Sequence, residues 1–122
     1  MKRLFAAAFA SLLIAGPAAA QSGTCFRLSD MGNHRAADSQ TLYVAMGRKE
    51  VWRFDMNGAC LSGVGFGDPL VVTPTGGASL ICKPLDLDIK VSHMGMLSPC
   101  MLKSMTKLSP AEVEALPKKL KP

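Results

Sequence analysis

The chain has 122 residues, a formal net charge of +5 and 48% hydrophobic residues, with aromatic residues at only 6%. This length allows one small domain and excludes a multidomain protein. A nucleic-acid-binding domain would show a basic face with aromatic residues among its cations, and no segment of this sequence has that composition.

The first twenty residues have the three-part pattern of a secretory signal peptide. Lys2 and Arg3 precede an apolar run over 4–15, and small residues end at Ala20. The run is shorter than the roughly 20 residues that a membrane span needs. We therefore predict a signal peptide over 1–20, cleavage near Ala20, and a single domain over 21–122. We expect a periplasmic or secreted monomer without a transmembrane segment, with the lysine-rich residues 118–121 forming a solvated tail.

Four cysteines lie in the predicted mature chain: Cys25, Cys60, Cys82 and Cys100. An even number of cysteines in a small exported domain predicts two structural disulfides. No C-x-x-C redox pair or zinc-type spacing competes with this interpretation. Three pairings are possible, and we favour Cys25–Cys100 with Cys60–Cys82, because these bonds would tie the first strand to the last and close the middle loop.

Short strands with turn residues between them are predicted along the rest of the chain. Alternation of apolar and polar residues is clearest over 41–46 and 51–56, which a loop at 47–50 joins into a hairpin. Gly32–Asn33 predicts a turn, and a capping box from Ser109 to Glu112 predicts a short helix that ends before Pro117. Further strands are predicted over 24–29, 70–73, 79–83, 86–91 and 99–108. The predicted fold is mainly β: a small antiparallel β-barrel or sandwich of six to seven short strands with one short C-terminal helix.

The predicted mature chain resembles a family of small, four-cysteine exported proteobacterial proteins whose function is not established. The resemblance rests on segments between Cys25 and Leu116: Cys25-Phe26-Arg27, residues 37–44, Val51-Trp52-Arg53-Phe54, Gly58-Ala59-Cys60, Ile81-Cys82, Asp88-Ile89, Cys100 and residues 108–113. It implies an exported, disulfide-held β domain, and it brings no active site with it.

The segment after the last alternating strand is unusually rich in methionine. His93, Met94 and Met96 are followed by Met101 and Met105. Imidazole and thioether groups are ligands that favour copper, especially Cu(I). Methionine also fills gaps in small cores, and we favour packing here. On a strand, Met94 and Met96 would share one face and His93 would point to the other, so only a loop could bring the three together.

Residues for catalysis are few, and we predict that the protein is not an enzyme. Asp86 and Asp88 are expected on the solvent face of one strand, His34 in a surface turn, and Trp52 in the core. We expect a non-catalytic domain that binds an unknown protein or envelope component, without a cofactor. The alternatives are a copper-binding protein that uses the Met-rich segment 93–105, and a small hydrolase or enzyme inhibitor. An inhibitor would present residues 97–100 as an exposed loop.

Overall fold

The computed structural model describes residues 25–65 and 68–122, so the predicted signal peptide and its cleavage site lie outside the described residues. Within this part, nine strands and one short α-helix form a mainly β structure, as predicted. The elements in chain order are β1 (Phe26–Arg27), β2 (Met31–Ala36), β3 (Thr41–Met46), β4 (Glu50–Met56), β5 (Leu70–Pro74), β6 (Leu80–Ile81), β7 (Leu87–His93), β8 (Met96–Pro99), β9 (Leu102–Lys107) and α1 (Pro110–Ala115).

The strands form three antiparallel sheets, with the orders β1-β6, β2-β3-β4-β9 and β5-β7-β8. The sheets are not closed into a barrel, and the arrangement is sandwich-like. Their apolar faces share one core, to which the four-stranded sheet contributes Trp52 and Phe54, the three-stranded sheet Ile89, and the two-stranded sheet Phe26. The ring of Phe26 meets that of Trp52 edge-on at 5.0 Å.

The hairpin of β3 and β4 follows its predicted alternation. Leu42, Val44 and Phe54 have no exposed surface, whereas Arg53 faces solvent. Arg53 forms an ion pair with Asp55 at 2.9 Å on the outer face of the sheet. Trp52 is 2% exposed, which confirms its assignment to the core.

Two strands lie where none was predicted. The predicted turn at Gly32–Asn33 is instead part of β2, whose register with β3 shifts between Met31 and His34. Such a bulge lets an edge strand keep its pairing without regular alternation. β8 was also missed, because all four of its residues are exposed. The last predicted strand therefore begins too early, since β9 starts only at Leu102.

Both predicted disulfides exist, but the favoured pairing was wrong. The structure joins Cys25 to Cys82 and Cys60 to Cys100. Phe26 pairs with Ile81 in the β1–β6 ladder, so the next residues outward, Cys25 and Cys82, lie opposite each other. The second bond is formed where the loop after β4 meets the end of β8, next to the hydrogen bond from the Asn57 N–H to the Met101 carbonyl, at 2.7 Å.

The C-terminal segment is held against the sheet. The capping box of α1 is confirmed, because the Glu112 N–H donates to Ser109 Oγ and the Ser109 N–H donates to the Glu112 carboxylate. After the helix, a 3-10 turn over Lys118–Leu120 contacts β2, and Lys121 bonds to Glu114 at 3.0 Å. The tail is thus ordered against the edge strand β2, while Lys118 and Lys119 are exposed to solvent, as predicted.

Candidate metal centre

The first residues of the Met-rich segment, 93–96, form the tip of the β7–β8 hairpin. Met94 and Gly95 make a two-residue turn with φ values of 50° and 80°. Positive φ at both central residues is typical of the type I′ turn that two-residue hairpins favour. Gly95 adopts this conformation without strain, but Met94 does not, and Asn or Asp is the usual residue at its position. Among the described residues, Met94 is the only non-glycine residue with positive φ.

This turn brings His93 and Met96 together. The two residues are directly paired across the hairpin, so their side chains leave the same face of the sheet. Two Cα atoms in a hydrogen-bonded antiparallel pair lie about 5.5 Å apart. On one continuous strand His93 would face away from Met96, and it is the turn at Met94–Gly95 that places the two on one face.

Asp68 holds the His93 ring. Its Oδ2 lies 3.3 Å from His93 Nδ1 and accepts the Gly65 N–H at 2.7 Å. The hydrogen bond from Gly65, and after it the one with His93, lowers the pKa of Asp68 below its ordinary value. An ionised carboxylate can only accept, so Nδ1 carries the proton in this contact.

When the ring is neutral, the other nitrogen of His93, Nε2, is then the one with a free lone pair. Metal-binding histidines characteristically donate one ring N–H to a carboxylate and bind the ion with the other nitrogen. Nε2 of His93 is directed toward Gly63, where an added Cβ would lie 3.9 Å from it. The His93 side chain is 50% exposed, so this nitrogen sits at the surface of the domain.

Three of the four methionines of this segment lie outside the core, so the core packing that we considered for them is not found; packing in a loop was the other form of that expectation. Met94 is 88% exposed, Met96 71% and Met101 65%, whereas Met46 and Met56 are almost completely buried. Met105 alone packs partly against the core, from β9. The two thioethers nearest His93 are thus accessible to an ion from solution.

The donors at the hairpin tip suit a soft, monovalent ion. In residues 25–65 and 68–122, no three His, Cys, Asp or Glu side chains converge as a metal site. One imidazole nitrogen with two thioether sulfurs is instead a neutral, soft donor set of the type that selects Cu(I).

The other predicted site residues have structural contacts. Asp86 lies in a 3-10 turn, not on the strand as predicted, and its Oδ2 accepts the N–H groups of Cys82 and Lys83. Asp88 forms an ion pair with Lys90 at 3.3 Å. These two carboxylates therefore have separate partners and do not act as a pair.

His34 lies in β2, not in a turn, and its Nε2 is 3.1 Å from the backbone carbonyl of Asp68. Asp68 is thus contacted by both histidines of the chain. The contact between Asp68 and His93 was not predicted, because 25 residues separate the two in the chain and no motif around Asp68 indicates it. Residues 97–99, which the inhibitor alternative required in an exposed loop, belong to the exposed strand β8.

Comparison with known proteins gives no relative for this chain. No family model, curated protein or solved structure matches it. Within the described part of the chain, no helix combines the length and apolar character that a membrane crossing requires.

Proposed function

We propose that this chain is an exported, non-catalytic binding protein whose ligand is Cu(I), held at the hairpin tip by His93 Nε2, Met96 and Met94. The observation that carries the proposal is the Asp68 contact on His93 Nδ1. It orients the ring and leaves Nε2 of the neutral imidazole as the ligand, and Met96 is paired with His93 across the hairpin.

The turn supports the same proposal. A non-glycine residue in the left-handed region costs on the order of 1–3 kcal/mol and is found preferentially at functional sites. Met94 has this conformation at an 88% exposed position, where its side chain contributes little burial. A thioether ligand explains why methionine stands where asparagine would fit the turn better.

Export is supported by the two disulfides, which form and persist in oxidising compartments. Cleavage near Ala20 and membership in the four-cysteine proteobacterial family belong to the proposal. In such a compartment an exposed Cu(I) site would exchange its ion with an envelope component. Every donor is at the surface, so a partner ligand could approach without unfolding the domain.

The test is a titration of the mature protein with Ag(I), a redox-inert substitute for Cu(I), and with Cu(I) against a chromophoric competitor. The double variant Met94→Leu/Met96→Leu keeps the apolar volume and removes both sulfurs. Met101→Leu is the matched control, because Met101 is also exposed. We expect one ion per wild-type and control protein, and loss of this binding in the double variant, with unchanged circular dichroism in all three.

Asp68→Ala tests the orienting contact separately. Loss of such a supporting residue typically costs about 10–100-fold in metal affinity, and we expect that range here. Failure of the wild-type protein to bind either ion would overturn the proposal. Equal losses in the control and the double variant would show that the sulfurs at the tip are not the ligands.

A further inference from the structure

We infer that Met94 and Met96 form an oxidation site, and that peroxide converts the hairpin tip from a Cu(I)-binding to a non-binding state. This inference rests on the proposed function. It starts from the contrast in exposure between these two methionines and the buried pair Met46 and Met56, whose exposed fractions are 3% and 2%. Oxidation of methionine follows access of the oxidant to sulfur.

The reaction needs hydrogen peroxide or an alkyl hydroperoxide as the co-reactant. A sulfur lone pair attacks the peroxide oxygen that carries hydrogen, and the O–O bond breaks. The leaving hydroxide, or alkoxide from an alkyl hydroperoxide, takes the proton from the new S–OH group and becomes water or an alcohol. Sulfur is oxidised by two electrons, peroxide is reduced by two, and each thioether becomes a sulfoxide.

The sulfoxide is a poorer ligand for Cu(I). Its exposed donor atom is oxygen, a harder ligand than thioether sulfur, and soft ions select soft donors. Oxidation of both methionines would leave His93 as the single soft-to-borderline ligand at the tip. We therefore expect the ion to be released.

The fold should survive this change. Met94 and Met96 stand in the turn and the edge strand β8, where a polar sulfoxide remains in water. Oxidation of Met46 or Met56 would instead place a polar group in the shared core and disrupt packing. The position of the site therefore permits loss of the ion without loss of the structure.

Met101 provides a control within the same molecule. It is exposed but follows the far end of β8, roughly 16 Å along the chain from Met96 at about 3.3 Å per residue. It should react with peroxide as an exposed thioether and should gain no protection from an ion at the tip.

The experiment treats the mature protein with hydrogen peroxide in chloride-free buffer, with and without one equivalent of Ag(I), and maps oxidation by peptide mass spectrometry. Without silver, we expect Met94, Met96 and Met101 to be oxidised before Met46 and Met56 react. With silver, Met94 and Met96 should be protected and Met101 should not. The oxidised protein should keep its circular dichroism and lose silver binding.

The outcomes separate this inference from the proposed function. Silver binding by the reduced protein with equal binding after complete oxidation of the tip would overturn the switch alone. Oxidation of the core methionines at the rate of the tip would also overturn it. Selective oxidation of the tip in a protein that never binds silver would overturn the proposed function, and with it the switch.

Discussion

Replacing Met94 with asparagine should stabilise the protein and weaken its metal site at the same time. The residue has a φ of 50° in the two-residue turn, and the left-handed conformation costs an ordinary L-residue about 1–2 kcal/mol. Asparagine tolerates this conformation and is preferred before glycine in a type I′ turn. Because Met94 is 88% exposed, truncation removes little buried surface.

We therefore expect Met94→Asn to raise the free energy of unfolding by about 1 kcal/mol, which corresponds to a Tm increase of about 4–8 °C for a domain of 60–100 residues. Urea denaturation of the silver-free protein measures the change, and a silver titration of the same sample measures the loss of affinity. Met101→Asn is the control, since Met101 is exposed without positive φ.

A Met94→Asn protein no more stable than the control would refute the assignment of strain to the turn. Unchanged silver affinity would refute Met94 as a ligand while leaving His93 and Met96 in place. The stability and silver-affinity measurements together therefore separate the conformational cost of Met94 in the turn from its proposed role as a ligand.

Three further predictions concern the rest of the fold. A small phosphine reductant should open Cys25–Cys82 before Cys60–Cys100, because Cys82 is exposed and Cys100 is 2% exposed; first alkylation at Cys100 would contradict this order. Hydrogen bonds from the backbone N–H groups of Cys82 and Lys83 lower the pKa of Asp86 from 3.8, so its stabilising contribution should be present above that pH and disappear as the pH falls through the folded-state pKa. The free energy of unfolding, measured by urea denaturation at several pH values in this range, should fall more steeply with decreasing pH in the wild type than in Asp86→Asn. Identical pH dependences would count against the contact. Ser109→Ala should lower the free energy of unfolding by about 1 kcal/mol in the same assay, whereas no change would show that α1 frays independently of the sheet.

The elements whose sequence pattern depends only on neighbouring residues were predicted correctly. Strands β3 and β4 alternate because one face is buried and the other is in water, and the Ser109–Glu112 capping box requires only four neighbouring residues. β2 and β8 show no regular alternation of buried and exposed residues, so the sequence carried no comparable signal for them.

Features that depend on contacts between distant segments could not be predicted in this way. The correct disulfide pairing follows from the β1–β6 register, which joins residues 57 positions apart in the chain. The candidate ligands were named from their chemistry, but the pairing of His93 with Met96 depends on the turn at Met94–Gly95, and Asp68 contacts His93 only in the folded chain. The resemblance to the four-cysteine family stays a prediction.

The free edge of β8 has a consequence for self-association. Because the Cys100 N–H donates to the Ile89 carbonyl, the alternation of an antiparallel ladder directs the backbone groups of Leu97 and Pro99 away from β7. Proline has no N–H to donate, and the Met101 carbonyl already accepts the Asn57 N–H. Over the strand itself, Leu97 alone offers an outward donor, so a strand from a second molecule would find too short a template to extend the sheet. Edge-to-edge pairing through β8 is thus disfavoured, although the hairpin tip exposes uncharged, apolar side chains.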